Sequence, residues 1–95
     1  MDTVIEKAIE LRKQGKYQES RTLLGELLTQ KAFEAKAHLN IAWSYDNEGK
    51  EKEAIGHYLA SLEGVLSKTE RFDALFGLAC TYRSLGSYEN ALNYF

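Results

Sequence analysis

The chain of 95 residues contains no proline, one cysteine and one tryptophan. A single cysteine, Cys80, cannot form an internal disulfide, which favours a reducing cytoplasm. No apolar run approaches the roughly 20 residues that a membrane-spanning helix needs, so no membrane partner is expected. The N-terminal stretch MDTVIEKAIELRKQGK is amphipathic and carries acidic side chains, without the apolar centre of a secretory signal. Basic residues are neither in excess nor clustered. The net charge is −2 with the signs interspersed, so the electrostatic footprint of a nucleic-acid binder is missing.

The chemistry-bearing residues are equally sparse. His38 and His57 have no cysteine or carboxylate at metal-ligand spacing. His38 is expected at a half-buried core position and His57 in solvent. Cys80 has no sequence-adjacent histidine or cationic cluster to lower its pKa and reads as a small apolar helix residue. Glu48, Glu51 and Glu53 alternate with Lys50 and Lys52, as on a solvated face. No catalytic residue, metal site or cofactor is expected, and the protein is not expected to be an enzyme. What remains is 44% apolar and 27% charged residues, the balance of one soluble globular domain.

The informative stretch is Ile41 to Tyr58, IAWSYDNEGKEKEAIGHY. Ile41, Ala42 and Tyr45 share one helix face, Gly49 ends that helix, and Ala54, Ile55 and Tyr58 begin a second that folds back. Such a hairpin cannot bury its apolar face alone. Copies stand on both sides: Gly15 lies 34 residues before Gly49, and Gly86 lies 37 after it. Four residues before each glycine stand Leu11, Tyr45 and Tyr82; seven before stand Ala8, Ala42 and Ala79. Five after stand Ser20, Ala54 and Ala91, and nine after stand Leu24, Tyr58 and Phe95. Small residues recur where helices approach, and large ones fill the gaps around them.

This pattern resembles the tetratricopeptide repeat, a helix–turn–helix unit of 34 residues, over nearly the whole chain. AWSYDNEGKEKEA and GLACTYRSLGSYENA look like the second and third units of a small bacterial family of such proteins. The resemblance implies an all-α stack of helix hairpins, an α-solenoid of about 2.7 repeats, and a non-enzymatic protein-interaction role. The units are expected at 1–34, 35–68 and 72–95, with a three-residue insertion at 69–71. Proline, which commonly closes each unit of the family, is replaced by Ala32 and Leu66.

In chain order, Thr3 and Glu6 read as a capping box for a helix reaching about Gln14. A second helix is expected over Tyr17–Thr29, with Gly25 explained by close helix packing. A third begins near Glu34 and a fourth runs from about Lys52 to Glu63 or Leu66. Ser67 and Glu70 form another capping box, so the insertion is expected in the turn around Gly64–Thr69, before a fifth helix reaching Leu85. Ser87 and Tyr88 open a sixth, where the chain stops. Ala91, Leu92, Tyr94 and Phe95 are therefore expected to leave an apolar end that another chain covers, unless the sequence is a fragment.

In the tetratricopeptide architecture the first helices of successive units line a concave groove. The resemblance places Ile5, Ile9 and Arg12 there from the first unit. Leu39, Asn40, Trp43 and Asn47 come from the second, and Phe76, Cys80 and Arg83 from the third. Ile5, Ile9, Leu39, Trp43, Phe76 and Cys80 would form an apolar floor with a mixed-charge rim. Alternatively, Trp43 and Phe76 pack against each other between helices. The two-carboxylate clamp by which some members hold acidic tails corresponds here to Ile5, Ile9, Asn40, Asp73 and Gly77. Only Asn40 fits, and Asp73 would repel a carboxylate. The expected partner is a protein or peptide. The first expectation is a self-associating scaffold, a homodimer; the alternative is a receptor holding an amphipathic helix of a different protein.

Overall fold

Two glycine turns set the hairpins. Gly15 and Gly49 have φ of 81° and 82°, the left-handed region that side chains disfavour. At the first turn Lys16 N–H donates to Leu11 O at 2.9 Å and Gly15 N–H to Arg12 O at 3.0 Å. At the second, Lys50 N–H donates to Tyr45 O at 2.8 Å and Gly49 N–H to Asp46 O at 3.1 Å. Both are the paired C-terminal bonds of a Schellman cap, which satisfies carbonyls that a helix end leaves open.

The computed structural model of the protein describes residues 2–85. It contains α1 (Asp2–Lys13), α2 (Tyr17–Gly25), α3 (Glu34–Asn47), α4 (Glu51–Leu62) and α5 (Lys68–Ser84). No strand occurs among the described residues, so the all-α hairpin stack is what forms. α1 pairs with α2 and α3 with α4, and α5 lies against α4; α3 sits centrally, touching α1, α2, α4 and α5.

The core has two parts joined at Tyr45. One contains Ile5, Ala8, Leu24, Leu27, Ala37 and Ile41; the other contains Leu39, Ala42, Ala54, Tyr58, Ala74 and Leu78. Half-buried Tyr45 packs against both. Each fully buried leucine contributes about 1.5–3 kcal/mol. In the first hairpin Ser20 replaces the alanine of the second, and its hydroxyl donates to Ala8 O at 2.7 Å, so the buried polar group is satisfied.

Several boundaries differ from expectation. α1 begins at Asp2, so Thr3 lies inside the helix rather than capping it. α2 stops at Gly25, short of Thr29. Beyond it, Leu27 N–H donates to Leu24 O at 2.9 Å and Leu28 N–H to Gly25 O at 3.3 Å, a tightening into three-residue turns. Gly25 is not a site of close packing, since a Cβ there would meet nothing within 4 Å. Its low helix propensity instead ends the helix.

The Ser67–Glu70 capping box is present: Glu70 N–H donates to Ser67 Oγ at 3.1 Å, and Ser67 N–H to Glu70 Oε1 at 2.8 Å. It starts α5 early. α5 has 17 residues against 14 in α3, so residues 69–71 form helical turn and do not lengthen the loop as expected. The helices expected beyond Leu85, with Ser87 and Tyr88, lie outside the described residues.

At Gly77 the backbone of α5 comes close to Tyr58 of α4. A Cβ there would sit 2.7 Å from Tyr58 Cζ, whereas Gly56, mid-helix in α4, has nothing within 4 Å of such an atom. Gly77→Ala is expected to lower stability by about 1–3 kcal/mol through overpacking. Gly56→Ala is expected to raise it by about 0.5–1 kcal/mol through helix propensity. Urea denaturation of the two variants checks both signs.

Candidate functional site

Trp43 of α3 lines two clefts that lie between α3 and its neighbours α1, α4 and α5. On one side of Trp43 a cleft of about 350 Å³ is lined by Ile5, Glu6 and Ile9 of α1, Lys36 and Asn40 of α3, and Glu70 of α5. On the other side a cleft of about 380 Å³ is lined by Asp46, Tyr58, Asp73, Phe76, Gly77 and Cys80. A wider hollow of about 590 Å³ outside α1 and α2 is bounded mostly by exposed side chains such as Lys7, Gln18 and Glu19. It fixes no polar group and is set aside in favour of the smaller clefts.

Asn40 is the conspicuous polar group of the first cleft. It is 6% exposed. Its Nδ2 donates to Lys36 O at 2.8 Å, one turn back on α3, while its buried Oδ1 has no hydrogen-bond partner among the described residues. A buried amide oxygen left unpaired costs about 1–3 kcal/mol. Lys36 and Glu70 close the rim, with Nζ 3.9 Å from a carboxylate oxygen.

In the second cleft Tyr58 donates its hydroxyl to Asp46 Oδ2 at 3.0 Å. Burial, and then the Asp46 charge, hold the Tyr58 hydroxyl far above its ordinary pKa, so it stays a neutral donor. Burial pushes the Asp46 carboxyl up, partly opposed by that hydrogen bond. Asp73 is half-buried, with no hydrogen bond or ion pair among the described residues.

These hairpins, with their glycine turns and first helices aligned on one face, agree with a comparison by family. The family described as "Tetratrico peptide repeat" matches residues 35–95. The chain belongs to the tetratricopeptide repeat family. Comparison with curated proteins gave no match.

Within this tetratricopeptide stack the expected groove residues divide. Ile5, Ile9, Asn40 and Trp43 meet at the first cleft, and Trp43, Phe76 and Cys80 at the second. Ile5 also belongs to the core. Leu39, expected on the floor, is instead 1% exposed in the second core part, because α3 has neighbours on several sides. Arg12 donates from Nη1 to Asn47 Oδ1 at 2.9 Å and lies 5.6 Å from the Trp43 ring centre, at cation–π distance. Burial lowers its pKa. Arg83 is exposed, with Nη2 3.9 Å from Cys80 Sγ. Trp43 and Phe76 share the second cleft; Phe76, 51% exposed, stacks with Phe72 at 6.2 Å and is not core. Ala91, Leu92, Tyr94 and Phe95 lie outside the described residues. Glu6, Glu70 and Tyr58 were not expected at the site. Only the offset of the 69–71 insertion hinted at Glu70.

A second cluster spans α2, α3 and α4. The Arg21 guanidinium lies 4.0 Å from the Tyr45 ring centre and pairs with Glu48 at 2.9 Å. Tyr45 stacks on His57 at 5.6 Å, and His57 Nδ1 is 3.0 Å from His38 Nδ1. His57 is therefore half-buried, not solvated as expected, because Tyr45 covers it. A hydrogen bond between the two Nδ1 atoms needs one donor and one bare acceptor, so double protonation breaks it.

Burial holds both imidazole pKa values below ordinary. Glu34 opposes the shift at His38, while the positive charges of His38 and Arg21 reinforce it at His57. The folded chain thus takes up protons less readily than the unfolded one. This stability is fully present above the unfolded pKa of about 6.5 and declines as pH falls through the lower folded values. The urea midpoint is expected to hold between about pH 7 and 8 and drop toward about pH 5.5. His57→Gln should flatten that slope; an unaltered slope would place its origin elsewhere.

Proposed function

We propose that the protein is a non-enzymatic interaction module holding a segment of a different protein, as an amphipathic helix, across Trp43 on its concave face. The observation that carries this reading is Asn40: a nearly buried amide, with an unpaired acceptor, lining a cleft beside the apolar side chains of Ile5, Ile9 and Trp43. Such an acceptor is expensive without an incoming donor. The clefts flanking Trp43 give a helix anchor points on either side of one ring. The family supports the general role, since tetratricopeptide repeats are typically protein-interaction modules. As units of the stack we propose 1–34, 35–68 and 72–95, with 69–71 inserted, and as location the cytoplasm, where the Cys80 thiol stays reduced.

A second reading is self-association as a homodimer. It is favoured by Val65 and Phe72, which are 71% and 65% exposed. Large apolar side chains this open suit a protein interface.

Trp43 is the only tryptophan of the chain, so its emission reports directly on the groove. Peptides selected from a displayed library are expected to shift that emission on titration. Trp43→Ala, followed with dye-labelled peptide, is expected to weaken binding at least about 30-fold, a change of about 2 kcal/mol, with helicity by circular dichroism intact. Unchanged affinity would sink the receptor reading. Light scattering over a concentration series tests the second: a dimer lost in Phe72→Ser supports it, and a monomer throughout removes it.

A further inference from the structure

Resting on the groove function above, we propose that the segment it holds is basic, and that the cleft between α3 and α5 receives a lysine or arginine side chain of the partner between the carboxylates of Asp46 and Asp73 and the ring of Trp43. Acceptors outnumber donors among the residues that line the two clefts. Asn40 Oδ1 is buried and unpaired, and Asp73 has neither hydrogen bond nor ion pair among the described residues. Asp46 is half-buried and its bond is to a neutral hydroxyl. Acceptors that lack a partner are satisfied by an incoming N–H, and by a cationic one best.

The charges agree. Glu6, Asp46, Glu70 and Asp73 line the two clefts, while Lys36 is the one cation lining them. Lys36 already lies 3.9 Å from Glu70. Arg12 bonds through Nη1 to Asn47 and is set against Trp43, while its buried Nε has no hydrogen-bond partner among the described residues. Both cations thus already hold an acceptor of the chain itself. In the second cleft the aromatic surfaces of Trp43 and Tyr58 adjoin the two carboxylates. Rings and carboxylates both attract a guanidinium or ammonium, and the cleft of about 380 Å³ has room for the end of such a side chain. An acidic segment would instead meet the like charges of Asp73 and Asp46 in the second cleft, whose described lining contains no lysine or arginine.

The test uses two synthetic amphipathic helical peptides with the same leucine stripe, one with lysine and the other with glutamate on the polar face. Each is titrated into the full chain while Trp43 emission is followed. The lysine peptide is expected to bind at least about tenfold more tightly at low salt and to lose affinity as salt rises. Asp73→Asn is expected to weaken the lysine peptide about five- to tenfold. Among the described residues its side chain holds no partner, so the variant should stay folded. Asp46→Asn keeps an acceptor for Tyr58 and should act in the same direction. Glu26→Gln, outside α2 and away from both clefts, should leave affinity unchanged and so exclude attraction to net charge alone. Equal binding of the two peptides with a clear emission change would overturn the basic preference and leave the groove function standing. A lysine-peptide affinity untouched by Asp73→Asn and Asp46→Asn would do the same. Failure of both peptides to move Trp43 emission would overturn the groove function, and the basic preference with it.

Discussion

The contact between the Tyr58 ring and Gly77 is the constraint on which the rest of the concave face depends. Tyr58 is fully buried at the α3–α4–α5 junction, and no side chain stands between it and the α5 backbone. That absence lets α5 approach closely. It also leaves the tyrosine hydroxyl one acceptor within reach, Asp46 at 3.0 Å. One close approach therefore seats the third unit, orients a carboxylate and forms a wall of the second cleft. Packing and the site are the same set of atoms viewed from two sides.

The central position of α3 has a comparable effect. It meets every other described helix, so its residues are distributed over several environments. Leu39 and Ala42 go to one core part, Ala37 and Ile41 to the other, and Asn40 and Trp43 to the groove. His38 and Tyr45 go to the cluster shared with α2 and α4. A helix used on all sides has little solvent-facing surface, which explains why a polar residue such as Asn40 ends up nearly buried.

Much of this was legible in the chain because it depends on local chemistry. Glycine at the two turns, the small residues at Ala42 and Ala54, and the reciprocal Ser67–Glu70 cap each act within a few residues. Their consequences were readable from spacing. Asn40 was also readable, as the one clamp position of the family that the chain retains. The misplacements came from longer range. Leu39 shares the helical stripe of the groove but falls under a neighbour that only the packing of α3 reveals. His57 looks like a surface residue until Tyr45 lies over it. Gly25 was read as a site of close packing, and the open space beside it shows a helix end instead. Glu70 escaped because the repeat count was taken to lengthen a turn.

Glu70 falls within the segment 69–71, which forms helix at the start of α5, a helix three residues longer than α3. At 1.5 Å per residue, three residues advance the helix start by about 4.5 Å. The added turn carries a carboxylate to the rim, opposite Lys36. A repeat protein built this way can gain a new wall for its binding face by a small in-frame insertion ahead of a first helix, while the stacking register that holds neighbouring units together is preserved. Recognition and stability can then diverge along the same short chain, one varied at helix starts and the other kept at helix centres.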